Sequence, residues 1–350
     1  MSLSIARRTV GLDAPPLVIA EISGNHGGRL ERALALVDAC ADAGVEAIKL
    51  QTYTADTMTL NVERDDFRVI EQGSLWHGET LYGLYDRAHT PWEWHQEIFD
   101  YAQERGLIAF SSAFDERSVD FLVNLGTPCI KIASFENTDL PLIEVAAKTG
   151  KPLIISTGMA SRDEIKAAID TAQSAGCSDL VLLKCTSTYP APAQDANLRT
   201  IPDLRRWSGC EIGLSDHSLG IGVAVACVGL GATVIEKHIT MDRDDDGVDS
   251  AFSMTPEDMK RLVDEVHAAW QALGKISYGP APSDVPSLKY RRSLYFVRSQ
   301  SAGSVISRDD VRSIRPGFGL EPRHLAKVVG KRLTRDVRIG DRVTWDDLEH

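Results

Sequence analysis

The chain has 350 residues, 43% of them hydrophobic, which is enough for a large core: a barrel of roughly 250 residues with a smaller unit beside it. A formal net charge of −12 argues against general affinity for nucleic acid or anionic membrane, so any bound anion must be held by a few local cations. No apolar stretch approaches the ~20 residues of a membrane span, and residues 1–10 lack the apolar segment of a secretory signal, so a cytoplasmic protein is expected.

In chain order, eight short runs rich in Val, Ile and Leu lie at residues 17–21, 46–51, 107–112, 129–133, 152–156, 180–185, 211–215 and 233–237, the pattern of fully buried parallel strands. Between them apolar residues recur at helical spacing, as in Leu30, Ala33, Leu34, Val37 and Ala41, or Met259, Leu262, Val263, Val266 and Trp270. Eight alternations of strand and helix predict an α/β fold, a closed (β/α)8 TIM barrel. The last helix is expected over 256–273, with Thr255 as N-cap, Pro256 at its first position and Gly274 after its end. Pro280, Pro282 and Pro286 then read as a stiff, extended linker. Short β-like pieces at 293–297, 305–306, 311–314 and 342–345 predict a small β-rich C-terminal domain with little core of its own, which should lean on another surface. The boundaries read as 1–276 for the barrel, 277–288 for the linker and 289–350 for the last domain. The connection after the second run, 53–90, is unusually long and carries Trp76-His77-Gly78; it is expected to fold as a wall of the barrel mouth. The terminal triplets, 1–3 and 348–350, read as appended residues without function.

Chemistry in such a barrel belongs at the carboxyl ends of the strands, where the loops converge on an open mouth. Those ends carry Glu21 with Asn25 and His26, Lys49 with Gln51, Ser111 with Ser112, Lys131 with Ser134 and Glu136, Ser156, Lys184 with Thr186 and Tyr189, Ser215 with His217, and Glu236 with His238. A lone histidine there is more often structural than a ligand. His217 and His238, however, end neighbouring strands about 4.8 Å apart and can chelate one ion. With oxygen donors from Glu21, Asp249 and water, the pair suits Mn²⁺, with Mg²⁺, Co²⁺ or zinc as alternatives. Lys49, Lys131 and Lys184 lie within apolar runs, where an ammonium needs an anion. Either barrel carboxylates such as Glu21 and Glu136 supply it, or the lysines join Ser112, Ser134, Ser156 and Ser215 around a phosphate ester. Lys184 also admits a Schiff-base aldolase reading. No phosphate-binding glycine motif opens a helix after a strand, which argues against nucleotide use. Glu136 reads as a proton-transfer group, its pKa set by burial against the lysine. The acidic stretch 242–249 reads as a solvated loop, except Asp249, an acceptor for sugar hydroxyls. Six cysteines without a Cys-x-x-Cys pair, Cys185 among them, read as reduced core residues.

These residues also form a recognisable series. Ala20-Glu21-Ile22-Ser23-Gly24-Asn25-His26, Ile48-Lys49-Leu50-Gln51-Thr52-Tyr53, Lys131-Ile132-Ala133-Ser134-Phe135-Glu136, Ser156-Thr157-Gly158-Met159, Gly213-Leu214-Ser215-Asp216-His217 and Glu236-Lys237-His238 resemble the sialic acid synthase family. Arg315-Pro316-Gly317-Phe318-Gly319 is similar to the signature of that family's antifreeze-like domain. The resemblance implies condensation of phosphoenolpyruvate with an N-acetylated aminosugar aldehyde, releasing inorganic phosphate and forming a nine-carbon 2-keto acid. It implies metal ligands His217 and His238, and a phosphoenolpyruvate cradle of Lys49, Ser112, Lys131, Ser134, Ser156, Ser187 and Ser215. Glu21, Gln51, Tyr189 and Asp249 would contact the sugar and Glu136 would handle protons, so that Glu21, Lys49, Lys131 and Glu136 form the catalytic set. Arg315 would reach the partner subunit's active site in a domain-swapped homodimer. Two departures bear on the sugar: Phe135 stands in place of a glycine, and Ser187 in place of an asparagine. The chain is most similar to the members whose sugar is 6-deoxy with two acetamido groups. The Phe135 ring would suit a methyl, since burying an unpaired hydroxyl costs about 1–3 kcal/mol. A synthase for N-acetylneuraminate or legionaminic acid is the alternative. A purely sugar-binding or ice-binding protein explains neither the histidines nor the lysines.

Overall fold

The computed structural model describes residues 2–245 and 247–349; Asp246, from the acidic stretch, lies outside them. The chain forms two compact units, Met1–Gly274 and Lys275–His350.

The first unit opens with a hairpin, β1 (Ser2–Ile5) and β2 (Arg8–Gly11). Eight parallel strands follow: β3 (Leu17–Glu21), β4 (Ala47–Thr52), β5 (Ile108–Ala113), β6 (Ile130–Ile132), β7 (Leu153–Ser156), β8 (Leu180–Cys185), β9 (Glu211–Ser215) and β10 (Val234–His238). They close into a barrel in which β10 pairs with β3. All eight expected runs are strands, shifted or trimmed by a residue or two at their ends. The helices are α1 (Leu30–Asp42), α2 (Ala55–Met58), α3 (Leu81–Ala88), α4 (His95–Glu104), α5 (Glu116–Leu125), α6 (Leu140–Lys148), α7 (Arg162–Ser174), α8 (Thr200–Ser208), α9 (Gly222–Val228) and α10 (Pro256–Leu273). Helix α10 has the expected bounds, and Thr255 Oγ1 accepts the Asp258 N–H at 3.3 Å.

Side chains alternate along each strand, so one set packs against the helices and the other fills the barrel. Val18, Ala20, Ile48, Leu50, Ile130, Ile132, Leu182 and Leu214 belong to the outer layer, a continuous core with the helices. Leu17, Ile19, Ala47, Phe110, Cys129, Ile154, Val181, Leu183 and Val234 fill the lower interior, joined by Ile5 and Val10 of the hairpin. The hairpin therefore caps the amino-terminal end. Arg8 pins it by bonding Glu46 (3.0 Å) and the Pro15 carbonyl (2.8 Å). Residues 2 and 3 thus take part in the hairpin.

The second unit pairs β11 (Ser293–Phe296) antiparallel with β12 (Val311–Ile314) and carries a short helix α11 (Leu325–Val328). It has more core than expected: Leu294, Phe296, Ile306, Val311, Val328, Leu333, Val337, Val343 and Leu348 pack together. Leu348 is accordingly part of that core. The proline-bearing segment winds into 3-10 turns over Pro282–Tyr290 instead of running extended, because proline's fixed φ fits either form. No helix among the described residues is long and apolar enough to cross a membrane.

Candidate active site

Above the apolar layers the same alternation points polar side chains inward. Lys49 lies opposite Glu21 in register, and Ser112 lies opposite both Gln51 and Lys131. The Lys49 ammonium contacts Glu21 Oε2 and donates to Glu236 Oε1 (3.1 Å) and Ser112 Oγ (3.3 Å). Lys131 Nζ lies 3.9 Å from the same Glu236 oxygen, which also accepts the Ser215 hydroxyl at 3.1 Å. Glu236 is thus the hub of the chamber, a role the sequence reading missed. Its parity was the available signal, because Val234, Glu236 and His238 must share one face of β10.

Burial pushes the Glu21 carboxyl well up, against the pull of Lys49. Burial also opposes the Glu236 charge, yet Lys131 and Lys49 hold that carboxyl well down. Lys49 is depressed by burial but raised further by its two carboxylates, while burial brings Lys131 down to about 8. Two ammonium groups therefore share one firmly ionised carboxylate. Lys49 is offset internally by two carboxylates, as the first reading of the lysines expects, while Lys131 has only the longer contact with Glu236.

Beside the lysines, Ser134 Oγ and Ser187 Oγ are 2.7 Å apart. A Cβ on Gly158 (φ +46°) would sit 2.5 Å from Ser134 Cβ and 2.9 Å from Ser187 Oγ, so this close approach requires glycine. Ser156 Oγ, Glu136 Oε2, Glu236 Oε2 and His238 Nδ1 are buried without a hydrogen-bond partner. Such atoms are few in folded proteins, and their concentration at the barrel mouth marks a ligand chamber. Burial raises the Glu136 carboxyl to about 7, with Lys131 opposing.

The His217 and His238 rings are neighbours, their centroids 5.3 Å apart. His217 Nδ1 bonds the Thr186 carbonyl (2.9 Å), and His238 Nδ1 faces Asp249 Oδ2 at 3.5 Å. With Nδ1–H given to that carbonyl, the His217 ring presents Nε2 as a lone pair, which meets the Cys185 thiol and which a metal ion would take in its place. Among the described residues no three His, Cys, Asp or Glu side chains form a ready-made ligand set. The pair nevertheless fits a divalent ion whose remaining positions go to oxygen donors. On the outer face of the same strand ends, Lys237 Nζ donates to Asp216 Oδ2 (2.8 Å) and the Ser218 carbonyl (2.7 Å), lashing the two histidine-bearing segments together.

The Tyr189 ring lies tilted beside His217 (centroids 4.5 Å) and Phe252 (5.2 Å), and Phe252 also meets His238 edge-on (5.1 Å). The long connection after β4 does stand at this mouth: Trp76 lies 6.0 Å from Tyr189, and its Nε1 donates to the Val248 carbonyl at 3.1 Å. Asp249 contacts the Ser23 hydroxyl, and burial raises its carboxyl.

Several residues fall elsewhere or act otherwise than expected. Cys185 is no inert core thiol: it faces inward beside Ser187 and His217, and although burial raises it, hydrogen bonding to His217 brings it to about 7. Lys184 shares the outward parity of Leu182 and bonds the Cys185 carbonyl (2.9 Å), which removes it as an imine-forming residue of the chamber. Ser111 also points outward, paired with Thr52 (2.6 Å). Asn25 braces the 249–253 loop through Ser253 (2.9 Å), and His26 bonds Thr90 (3.2 Å); both are structural. Phe135 is 59% exposed on the loop after β6, so its ring does not pack in the core. Arg315 belongs to the second unit, where the Ser293 hydroxyl holds its loop through the Pro316 carbonyl (2.7 Å) and Gly319 N–H (2.9 Å). Its guanidinium is exposed and bonds nothing among the described residues.

A parallel barrel whose mouth gathers two lysines, five serines, a high-pKa glutamic acid and a histidine pair defines an α/β-barrel enzyme that handles an anionic substrate. Residues 36–278 match the model of the NeuB family, and residues 291–349 match that of the SAF domain. The chain belongs to the NeuB family. It is 42% identical over 340 residues to a pseudaminic acid synthase of Campylobacter jejuni, covering 96% of this chain and 98% of that protein. It is 38% identical over 338 residues to an N,N'-diacetyllegionaminic acid synthase of Legionella pneumophila, covering 95% and 94%. Among solved structures it is similar to an N-acetylneuraminic acid synthetase of Leptospira borgpetersenii, with a TM-score of 0.73 and 31% identity, covering 83% and 96% of the two chains.

Proposed function

We propose that this chain condenses phosphoenolpyruvate with a 2,4-diacetamido-2,4,6-trideoxy hexose and water to give pseudaminic acid and inorganic phosphate. The observation that carries this reading is the chamber in which Lys49 and Lys131 share Glu236 across from the His217–His238 pair, in a chain of this family. Lys49, Lys131, Ser112, Ser134, Ser156, Ser187 and Ser215 hold the phosphate and carboxylate of phosphoenolpyruvate. Glu21, Gln51, Tyr189 and Asp249 hold the sugar, with Phe135 near its C6 methyl. His217 and His238 would hold a divalent ion, Mn²⁺ first, which when bound supplies Lewis-acid polarisation of the aldehyde oxygen.

The C3 carbon of phosphoenolpyruvate bonds to the aldehyde carbon, water adds at C2, and phosphate leaves with its bridging oxygen as the C2 ketone forms. Lys49 and Lys131 stabilise the phosphate charge throughout. Glu136, with a proton affinity near neutrality, takes one proton from the added water, and the second is lost as the ketone forms; of the two, one ends on the former aldehyde oxygen and the other leaves with the phosphate. The exposed, rigidly looped Arg315 would complete the partner's chamber in a domain-swapped homodimer, and the reaction would run in the cytoplasm.

Incubation with phosphoenolpyruvate, Mn²⁺ and a panel of hexosamines, followed by weighing of the products, tests the reading. The trideoxy diacetamido sugar should be consumed fastest; preference for N-acetylmannosamine or for the legionaminic acid precursor would favour the synthases of those products. Chelator-treated protein should lose turnover and recover it with Mn²⁺. Full activity of His217→Ala in chelator would remove the histidine pair from the mechanism.

A further inference from the structure

The mouth is divided by chemistry. The ammonium groups of Lys49 and Lys131 and the unpartnered Ser156 hydroxyl lie over β4 to β7, whereas Tyr189, Phe252, the histidine pair and Asp249 gather over β8 to β10 and β3. Aromatic faces carry partial negative charge and repel an anion such as phosphoenolpyruvate, but they pack well against the C–H face of a neutral sugar. The aromatic side is thus where the C–H face of the sugar packs. Phe252 lies beneath it, only 3% exposed, and Tyr189 is engaged with the His217 ring. Trp76 differs from both: it is only partly buried and comes from the connection 53–90, outside the barrel wall.

That connection is anchored on several sides. Trp92 Nε1 bonds the Tyr53 carbonyl (3.1 Å) and Thr90 bonds His26, while inside the connection Arg68 pairs with Thr80 in a backbone bridge. A Cβ at Gly24 would stand 2.5 Å from Val248 and 3.0 Å from the Ala88 carbonyl, so the end of α3 and the 247–253 loop meet over a bare backbone. The indole is therefore a fixed surface, bonded through Nε1 to Val248 and set at 58° to the Tyr189 ring.

We propose that Trp76 is a specificity-determining residue: with Tyr189 it forms the apolar wall that receives the C6 methyl and adjoining C–H face of a 6-deoxy aminosugar. The inference rests on the reading of the reaction given above. It places the discrimination against a C6 hydroxyl on the connection 53–90, in addition to the exposed Phe135.

The test compares wild type, Trp76→Ala and Trp76→Phe with two sugars, the trideoxy diacetamido hexose and N-acetylmannosamine, each at varied phosphoenolpyruvate. Trp76→Ala should raise KM for the deoxy sugar and lower the preference between the sugars by roughly tenfold, the low end for one apolar contact. KM for phosphoenolpyruvate should stay within about twofold. Trp76→Phe, which keeps a ring and loses the N–H, should retain most of the preference. An unchanged preference in Trp76→Ala, or a Trp76→Phe variant as impaired as the alanine one, overturns the proposal; the latter assigns the effect to the Val248 hydrogen bond. Wild-type protein that releases no phosphate with either sugar overturns the reaction itself and this inference with it.

Discussion

The lower and upper halves of the barrel interior are built by the same strands with the same alternation, yet they do opposite work. Below, Leu17, Ile19, Phe110, Val181 and Val234 meet the hairpin residues Ile5 and Val10 in one apolar cluster. Above, Lys49, Lys131, Glu21 and Glu236 share a buried chamber with Ser156 and Glu136, which bring unpartnered atoms into it. Burying apolar surface stabilises the fold, whereas burying unpaired or crowded charge opposes it. One half of the barrel therefore holds the other in a state it would not adopt alone.

That contrast can be broken from either side. The largest effect is expected from Lys131→Met, which gives the upper half the character of the lower. It should reduce kcat/KM by about 10²–10³-fold, and the urea midpoint should hold or rise, because an apolar chain replaces a buried ammonium. A variant that unfolds early yet turns over normally would contradict the division. Next, Ile5→Ala at the floor should cost about 2–4 kcal/mol in denaturant unfolding while KM for phosphoenolpyruvate stays put.

A pH experiment sharpens the same contrast. Burial lifts Glu136 from 4.5 to about 7, so between those values the folded protein keeps a proton that the unfolded chain releases. The stability this proton confers is full below about 4.5 and is lost as pH rises through about 7. Glu136→Gln should match native stability at pH 4 and exceed it by about 1–3 kcal/mol at pH 8, as thermal unfolding at the two pH values would show. As the proton acceptor, Glu136 should also make kcat/KM climb through about pH 7, and the glutamine variant should lack that limb. The smallest effect belongs to Ser156→Ala. The hydroxyl has no partner, so stability should move by less than about 0.5 kcal/mol while KM for phosphoenolpyruvate rises about tenfold.

How far the site was legible depends on what each residue's signal was. Lys49, Lys131, Ser112 and His238 end apolar strands, and strand parity alone turns them inward. The same parity would have singled out Glu236 and excluded Lys184 and Ser111, since it separates residues that composition treats alike. Cys185 was hidden because a cysteine in an apolar run looks like any small core residue. The second unit's core was underrated because its members are scattered from Leu294 to Leu348 with no period to reveal them.

By itself the sequence determined the eight strands, the helix over Pro256–Leu273 and the residue types at the mouth, because burial on both faces and helix capping are written in local patterns. Only the tertiary structure decided that two ammonium groups share Glu236, that Ser134 meets Ser187 across Gly158, and that Trp76 stands beside Tyr189. Each of these joins side chains far apart along the chain, and their distances are set by barrel closure and loop packing, which no local pattern encodes.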